Sequence, residues 1–255
     1  MFAITTRNKL RSRRHAISMV WAWRAIRRQL ARTPGMLAYT TGMASLTEFY
    51  TLTLWEKEID MTLFMTSDDH RDMMWNVRHW SDSFWSMRWN STGDEIGSWN
   101  GKSFANDKTV RAEQPTYVGP GFLKSHEVPE ALRPYLQKII RKTEPDMLCV
   151  EAVIGRIPTP SLLSIRLLKR ALQPWSSARH ALRFELAIGL RECFLFVVWK
   201  KDEEKVSHAM MDALARQFPD AWAMRFPATD YEIGHWNRLR IREYADSDPY
   251  AIAPR

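Results

Sequence analysis

Two stretches of this chain read alike: Tyr50-Thr51-Leu52-Thr53-Leu54-Trp55-Glu56-Lys57 and Phe194-Leu195-Phe196-Val197-Val198-Trp199-Lys200-Lys201. Each is a strand pattern that ends in tryptophan and runs into charge. Upstream of each, at nearly equal distance, lies a second strand pattern reached from a basic helix, Gly35-Met36-Leu37-Ala38-Tyr39-Thr40 and Leu182-Arg183-Phe184-Glu185-Leu186-Ala187. Downstream of each come an amphipathic helix and a last strand. A unit of about a hundred residues is too long for a solenoid repeat. The chain is therefore read as α+β, two copies of a βαββαβ unit.

The pattern places strands at 2–6, 36–43, 49–55 and 85–89 in the first copy, with the basic helix between the first two and a helix over 68–84. In the second copy it places strands at 148–154, 182–188 and 193–199, a helix opened by Thr159-Pro160 and stopped by Pro174, a helix over 203–217 and a strand beyond Ala221. Residues 90–146 are rich in Gly, Ser, Asn and Pro, with one helical stretch at 130–141. The expected division is a first unit at 1–105, a connector at 106–146 that crosses the body or covers an edge, and a second unit at 147–255.

With 255 residues and 45% hydrophobic content, the chain can bury a substantial core. Its apolar runs fall short of the roughly 20 residues of a membrane span, and its N-terminus lacks a secretory apolar region. A cytoplasmic protein is expected. Cys149 and Cys193 lie in apolar strand patterns and read as reduced core thiols.

The formal charge of +8 is unevenly distributed, because no Asp or Glu precedes Glu48 while Arg7, Lys9, Arg11, Arg13, Arg14, Arg24, Arg27, Arg28 and Arg32 all fall in that stretch. Ala16, Met19, Trp23, Ile26 and Leu30 form a core-facing helical stripe, with Trp21 on the arginine side. The basic side is a solvated face, or a surface that makes peripheral contact with anionic membrane or a partner. Nucleic acid is the weaker reading.

Residues two apart share a strand face. Tyr50, Leu52 and Leu54 suit covering helices, which leaves Phe49, Thr51, Thr53 and Trp55 as a mixed set facing an interior. In the second unit Leu182, Phe184, Leu186 and Ile188 oppose Arg183, Glu185 and Ala187, and Glu151 is assigned to the latter side. Two such sheets facing each other make a barrel or sandwich. Arg183, Glu185, Thr51 and Thr53 are then either an internal ion pair with bonded hydroxyls or the polar lining of a pocket.

His70 falls on one helical stripe with Met73, Val77, Trp80 and Phe84. A neutral imidazole in apolar surroundings is a satisfied core residue, or what a haem iron requires. A phosphate-binding loop, a dinucleotide fingerprint, a zinc-protease helix and a nucleophile elbow are all absent from the sequence. Twelve Trp and thirteen Met, set on stripes and strand faces, read as core, with some available to line an extended apolar ligand site.

Leu30-Ala31-Arg32-Thr33-Pro34-Gly35, Leu54-Trp55-Glu56, Trp99-Asn100-Gly101-Lys102-Ser103-Phe104 and Arg183-Phe184-Glu185-Leu186-Ala187-Ile188-Gly189 together resemble the spheroidene monooxygenase family. More distantly, the paired units are similar to the antibiotic-biosynthesis-monooxygenase type of dimeric α+β barrel. The resemblance implies two tandem ferredoxin-like units in one dimeric-α+β-barrel-like body, and an oxidoreductase that acts on a hydrophobic small molecule. It implies haem as the cofactor, with His70 on the iron among Met73, Val77, Trp80 and Phe84. In that frame Arg183 and Glu185 are the catalytic candidates, and Thr51, Thr53 and Trp55 contact substrate. A cofactor-free oxygenase of the same fold is the alternative, and a noncatalytic ligand-binding or membrane-associated accessory protein is a further one. Oligomerisation stays open.

Overall fold

In a computed structural model, residues 1–66, 68–105, 150–158, 161–176, 181–200, 204–237 and 240–241 are described. Strand β1 (Phe2–Leu10) pairs antiparallel on one side with β3 (Glu48–Trp55) and on the other with β4 (Ser81–Asn90), and β2 (Met36–Ser45) adds to β3. Helices α1 (His15–Leu30), α2 (Glu58–Thr66) and α3 (Asp68–Trp80) make the connections. A short β5 (Glu95–Ile96) follows. The second half repeats the order: β6 (Val150–Pro158) lies between β8 (Glu192–Lys200) and β9 (Trp222–Gly234), with β7 (Ala181–Ile188) on β8. Its helices are α4 (Leu162–Ser176) and α5 (Glu204–Gln217). Pairing of β2 with β7 and of β4 with β9 closes the sheet on itself, so no long edge is left unpaired. The fold is an α+β barrel of two ferredoxin-like halves.

The expected match of the two tryptophans is present. Trp55 stands opposite Phe2 and Met36, Trp199 opposite Glu151 and Ala181, and in each half the register slips immediately after the second pair. Both halves are therefore in the same register, residue by residue.

The barrel interior and its outer face are both apolar. Inside lie Leu52, Leu54, Trp85, Met87, Trp89, Phe194, Phe196, Val198, Trp222 and Phe226. Outside, α4 and α5 cover Val153, Leu195, Val197 and Trp199, and the helices of the first half cover Phe2, Ile4, Phe49 and Trp55. A strand buried on both faces carries no polar side to mark the solvent. That is why the first-half assignment comes out reversed: Tyr50, Leu52 and Leu54 point inward, while Phe49, Thr51, Thr53 and Trp55 face the helices.

Two helix boundaries also differ from expectation. The stretch 58–80 forms two helices, and the second stops at Trp80 because Arg11 captures its end: the Arg11 backbone N–H donates to the Trp80 carbonyl (2.8 Å) and its Nε to the Ser81 carbonyl (2.7 Å). Phe84 therefore belongs to β4 and not to the histidine helix. Helix α4 runs past Pro174 to Ser176, since near a C-terminus the proline removes only one late backbone bond. Cys193 is buried in β8. Thr159, Pro160, Cys149, the helix expected at 130–141 and the connector lie outside the described residues.

Where the halves meet at β2 and β7, the ladder has one pair, Met43 with Ile188. Gly42 permits the contact, because a Cβ there would lie 2.7 Å from the carbonyl carbon and oxygen of Ala187. Away from this crossing both strands show partly exposed residues, from Met36 to Tyr39 and from Arg183 to Leu186. Gly42→Ala is expected to force the strands apart and cost roughly 1–3 kcal/mol. Thermal unfolding measures this, and a melting temperature equal to wild type would show that the crossing yields freely.

Candidate functional site

The equivalent registers place the same side chains at the same points of the interior in both halves. Arg7 stands opposite Tyr50 and Trp85; Arg156 stands opposite Phe194 and Trp222. Each arginine binds a glutamate two residues along the partner strand, Arg7 Nε to Glu48 at 2.5 Å and Arg156 Nε to Glu192 at 2.6 Å. Each tryptophan, Trp85 or Trp222, packs against another at 4.9 Å between ring centres, Trp236 or Trp99. Its indole N–H donates to a glutamate, Trp85 to Glu232 at 2.6 Å and Trp222 to Glu95 at 2.5 Å.

These last contacts come from a repeated motif that the strand comparison did not detect, Glu95-Ile96-Gly97-Ser98-Trp99-Asn100 and Glu232-Ile233-Gly234-His235-Trp236-Asn237. In both copies the glycine and the asparagine have positive φ, +66° and +52° in one, +75° and +53° in the other. A side chain at Gly97 or Gly234 would collide with the carbonyl of Ala221 or Phe84, so only glycine fits. The turn delivers its tryptophan into the barrel beneath an arginine: the Arg156 guanidinium lies 5.8 Å from Trp99, and that of Arg7 5.5 Å from Trp236. Arg7 is further fixed by Ser83 (3.0 Å) and by Asn237 of the motif (3.1 Å). The signal for these residues was self-similarity at the ends of β5 and β9 rather than periodicity.

Around these pairs the halves diverge at Tyr50 against Phe194, Glu185 against Thr40 and Arg183 against Ala38. In the second cluster the Thr40 hydroxyl donates to Glu192. In the first, the Tyr50 hydroxyl donates to Glu48 Oε1 at 2.7 Å and also lies within hydrogen-bonding reach of Glu185. Two carboxylates, a phenol and Arg7 thus meet in one place, with Arg183 stacked 5.6 Å from Trp236 beside them. Burial pushes the Glu185 carboxyl up to about 7. The charge of Glu48 adds to that, opposed by the Tyr50 hydrogen bond and by Arg7 and Arg183. Burial and then the charges of Glu185 and Glu48 raise the Tyr50 phenol far above its ordinary value, so Tyr50 stays neutral and acts as a donor. Glu48, Arg183 and Glu185 are partly exposed, on the side of the thin β2–β7 seam.

Arg183 and Glu185, expected together inside the body, are both here. Thr51, Thr53 and Trp55 are not: they lie on the opposite face of β3, where Trp55 Nε1 donates to Thr53 at 2.9 Å. Glu151 is also on the helix side, 3.2 Å from Arg225.

His70 sits in the helix layer outside the barrel. Its Nδ1 donates to the Met65 carbonyl at 3.0 Å, its backbone N–H to Gln29 at 3.1 Å, and its ring packs 4.7 Å from Phe64. Burial lowers its pKa, opposed by the bond to Met65, so the neutral form expected from sequence is favoured. The Nδ1 bond is the kind that orients a metal-bound histidine, but the rest of the stripe does not fit a porphyrin. Val77 is buried against Leu10, Met19 and Phe49, with Met73, Trp80 and Phe84 packed on the same cluster. Among the described residues those side chains form the interface between helices and sheet, packed on one another where a flat macrocycle would have to lie. Among the described residues no group of three or more His, Cys, Asp or Glu could hold a metal ion, and no helix is long and apolar enough to cross a membrane.

No family model and no curated protein matches the chain. Among solved structures it is similar to an anthrone oxidase-like protein at 8% identity, covering 91% of this chain and 92% of that one, with a TM-score of 0.33. It is also similar to a cofactor-independent oxygenase from Streptomyces nogalater at 11% identity, over 34% of this chain and 86% of that one (TM-score 0.29). A third likeness is to an antibiotic biosynthesis monooxygenase at 9% identity, over 34% and 95% (TM-score 0.33). At such scores the likeness adds nothing to the topology the chain itself displays.

Proposed function

We propose that the chain is a monooxygenase-like oxidoreductase that acts on a hydrophobic small molecule without a cofactor, with Glu185 as its general base. The observation that carries this reading is the placement of Glu185, the one carboxyl among the described residues pushed up to about 7, beside Tyr50 and Glu48 at the border of an apolar, aromatic-rich interior. A base with a pKa near the working pH is suited to proton abstraction. A substrate whose C–H is acidified by flanking carbonyl or aromatic groups gives its proton to Glu185 and becomes a delocalised carbanion. That carbanion reduces dioxygen directly: a CH2 group becomes C=O, the second oxygen atom leaves as water, and no external reductant is consumed. Arg183 and Arg7 supply positive charge to hold the anion, and Tyr50 keeps the carboxylates in place. The resemblance of the sequence to oxygenases with apolar substrates supports the same class. His70 has a packing role in this scheme.

The test is dioxygen uptake by the purified chain with anthrone as probe, followed by mass spectrometry of the product under labelled dioxygen. One labelled atom per product ketone, with metal-free protein, is expected. Ligand binding without uptake would replace this reading with the accessory one, and a Soret band that depends on His70 after haemin addition would replace it with the haem one.

A further inference from the structure

Helix α1 buries Met19, Ile26 and Leu30 against the sheet and turns the other way an exposed face. Ile17 is 70% exposed, Val20 50% and Trp21 63%, and the exposed Arg24, Arg27 and Arg28 continue the same face along the helix. Arg13 and Arg14 are exposed just before it. The Arg24 guanidinium lies 5.1 Å from the Trp21 ring, so the aromatic and the cation form one surface feature. The equivalent helix of the second half repeats the arrangement: Leu163 (65% exposed), Arg166, Leu167 (53% exposed) and Arg170 fall at the spacing of Ile17, Val20, Trp21 and Arg24.

We propose that the outer face of α1 docks on an anionic lipid bilayer, with Ile17, Val20 and Trp21 entering the headgroup boundary and Arg24, Arg27 and Arg28 binding lipid phosphates. Three arguments select lipid over protein. The apolar part is three side chains, far less than the roughly 800 Å² per partner of a stable protein interface, yet sufficient for shallow insertion. Trp21 has the amphipathic ring that favours the membrane–water interface. The face carries no acidic residue, so a second copy would meet it with like charge. This inference is independent of the chemistry proposed for the barrel.

The experiment is flotation of the full chain with vesicles of phosphatidylglycerol and phosphatidylcholine, compared with pure phosphatidylcholine, at low and high salt. Binding to the anionic vesicles alone, reversed by salt, is expected. Each cation removed should weaken partitioning about five-fold, and Arg24→Ala/Arg27→Ala/Arg28→Ala together on the order of a hundredfold. The triple lysine variant should retain binding, and Trp21→Ala should weaken it at unchanged charge. All these positions are exposed, and an unaltered melting curve confirms the fold of each variant. Absence of vesicle binding, equal binding to neutral vesicles or full binding by the triple alanine variant overturns the proposal. So does self-association or nucleic-acid capture through these arginines in place of lipid.

Discussion

Glu185→Gln is expected to lower turnover by roughly 10²–10⁴-fold and at the same time to make the protein more stable above neutral pH. The amide keeps the shape of the side chain and loses the base. The stability change has the opposite sign because the wild-type carboxyl is held near 7 in the folded chain and near 4.5 when unfolded. Between those values the folded protein binds the extra proton, so stability falls as pH rises from about 4.5 to about 7 and stays lowered above that. One pKa unit corresponds to about 1.4 kcal/mol, and partial solvent access with nearby Arg7 and Arg183 reduces the effect. A gain of a kcal/mol or two at pH 8 and none below pH 4 is the expected profile, read by denaturant unfolding at several pH values. A variant that loses stability at pH 8 would show that Glu185 is a structural ion-pair member. Full retained turnover would remove it from the mechanism.

Trp236→Ala is expected to be the most destabilising single change at the site. The ring lies 4.9 Å from Trp85, 5.7 Å from Phe196 and 5.6 Å from Tyr50, beneath the guanidiniums of Arg7 and Arg183. Removing it leaves a cavity that this packing cannot close, at a cost of roughly 3–5 kcal/mol, which lowers the melting temperature by on the order of 10 °C in a chain of this size. Leu190→Ala, at a fully exposed position, should change nothing measurable. If Trp236→Ala melts within a degree or two of wild type, the motif is not part of the barrel core.

The two halves and the equivalence of Trp55 and Trp199 were legible in the sequence because each strand repeats an alternation with a fixed terminal residue. Arg183 and Glu185 were legible as well, since charge in an apolar strand has to face something. Which face of β3 is the interior was not legible: in a closed barrel under helices both faces are buried, and Thr51 and Thr53 gave a polar hint that led to the wrong side. Arg7 was masked by its neighbours, because it reads as one of many N-terminal cations. Only its antiparallel position opposite Tyr50 separates it from the exposed arginines of α1. The histidine stripe looked like a ligand site since it has helical spacing as far as Trp80. That same spacing is what any helix needs to sit on a sheet.

The paired clusters have one consequence for how such a barrel acquires chemistry. In a homodimer built from a single unit, symmetry writes every substitution twice, and a partly buried acid at the position of Glu185 would bring an identical acid across the axis, doubling its destabilising effect. A chain that carries both halves is free of that constraint. It places Glu185 and Tyr50 on one side and Thr40 and Phe194 on the other, so that the second arginine–glutamate pair, Arg156 with Glu192, holds its part of the wall without a second acid beside it.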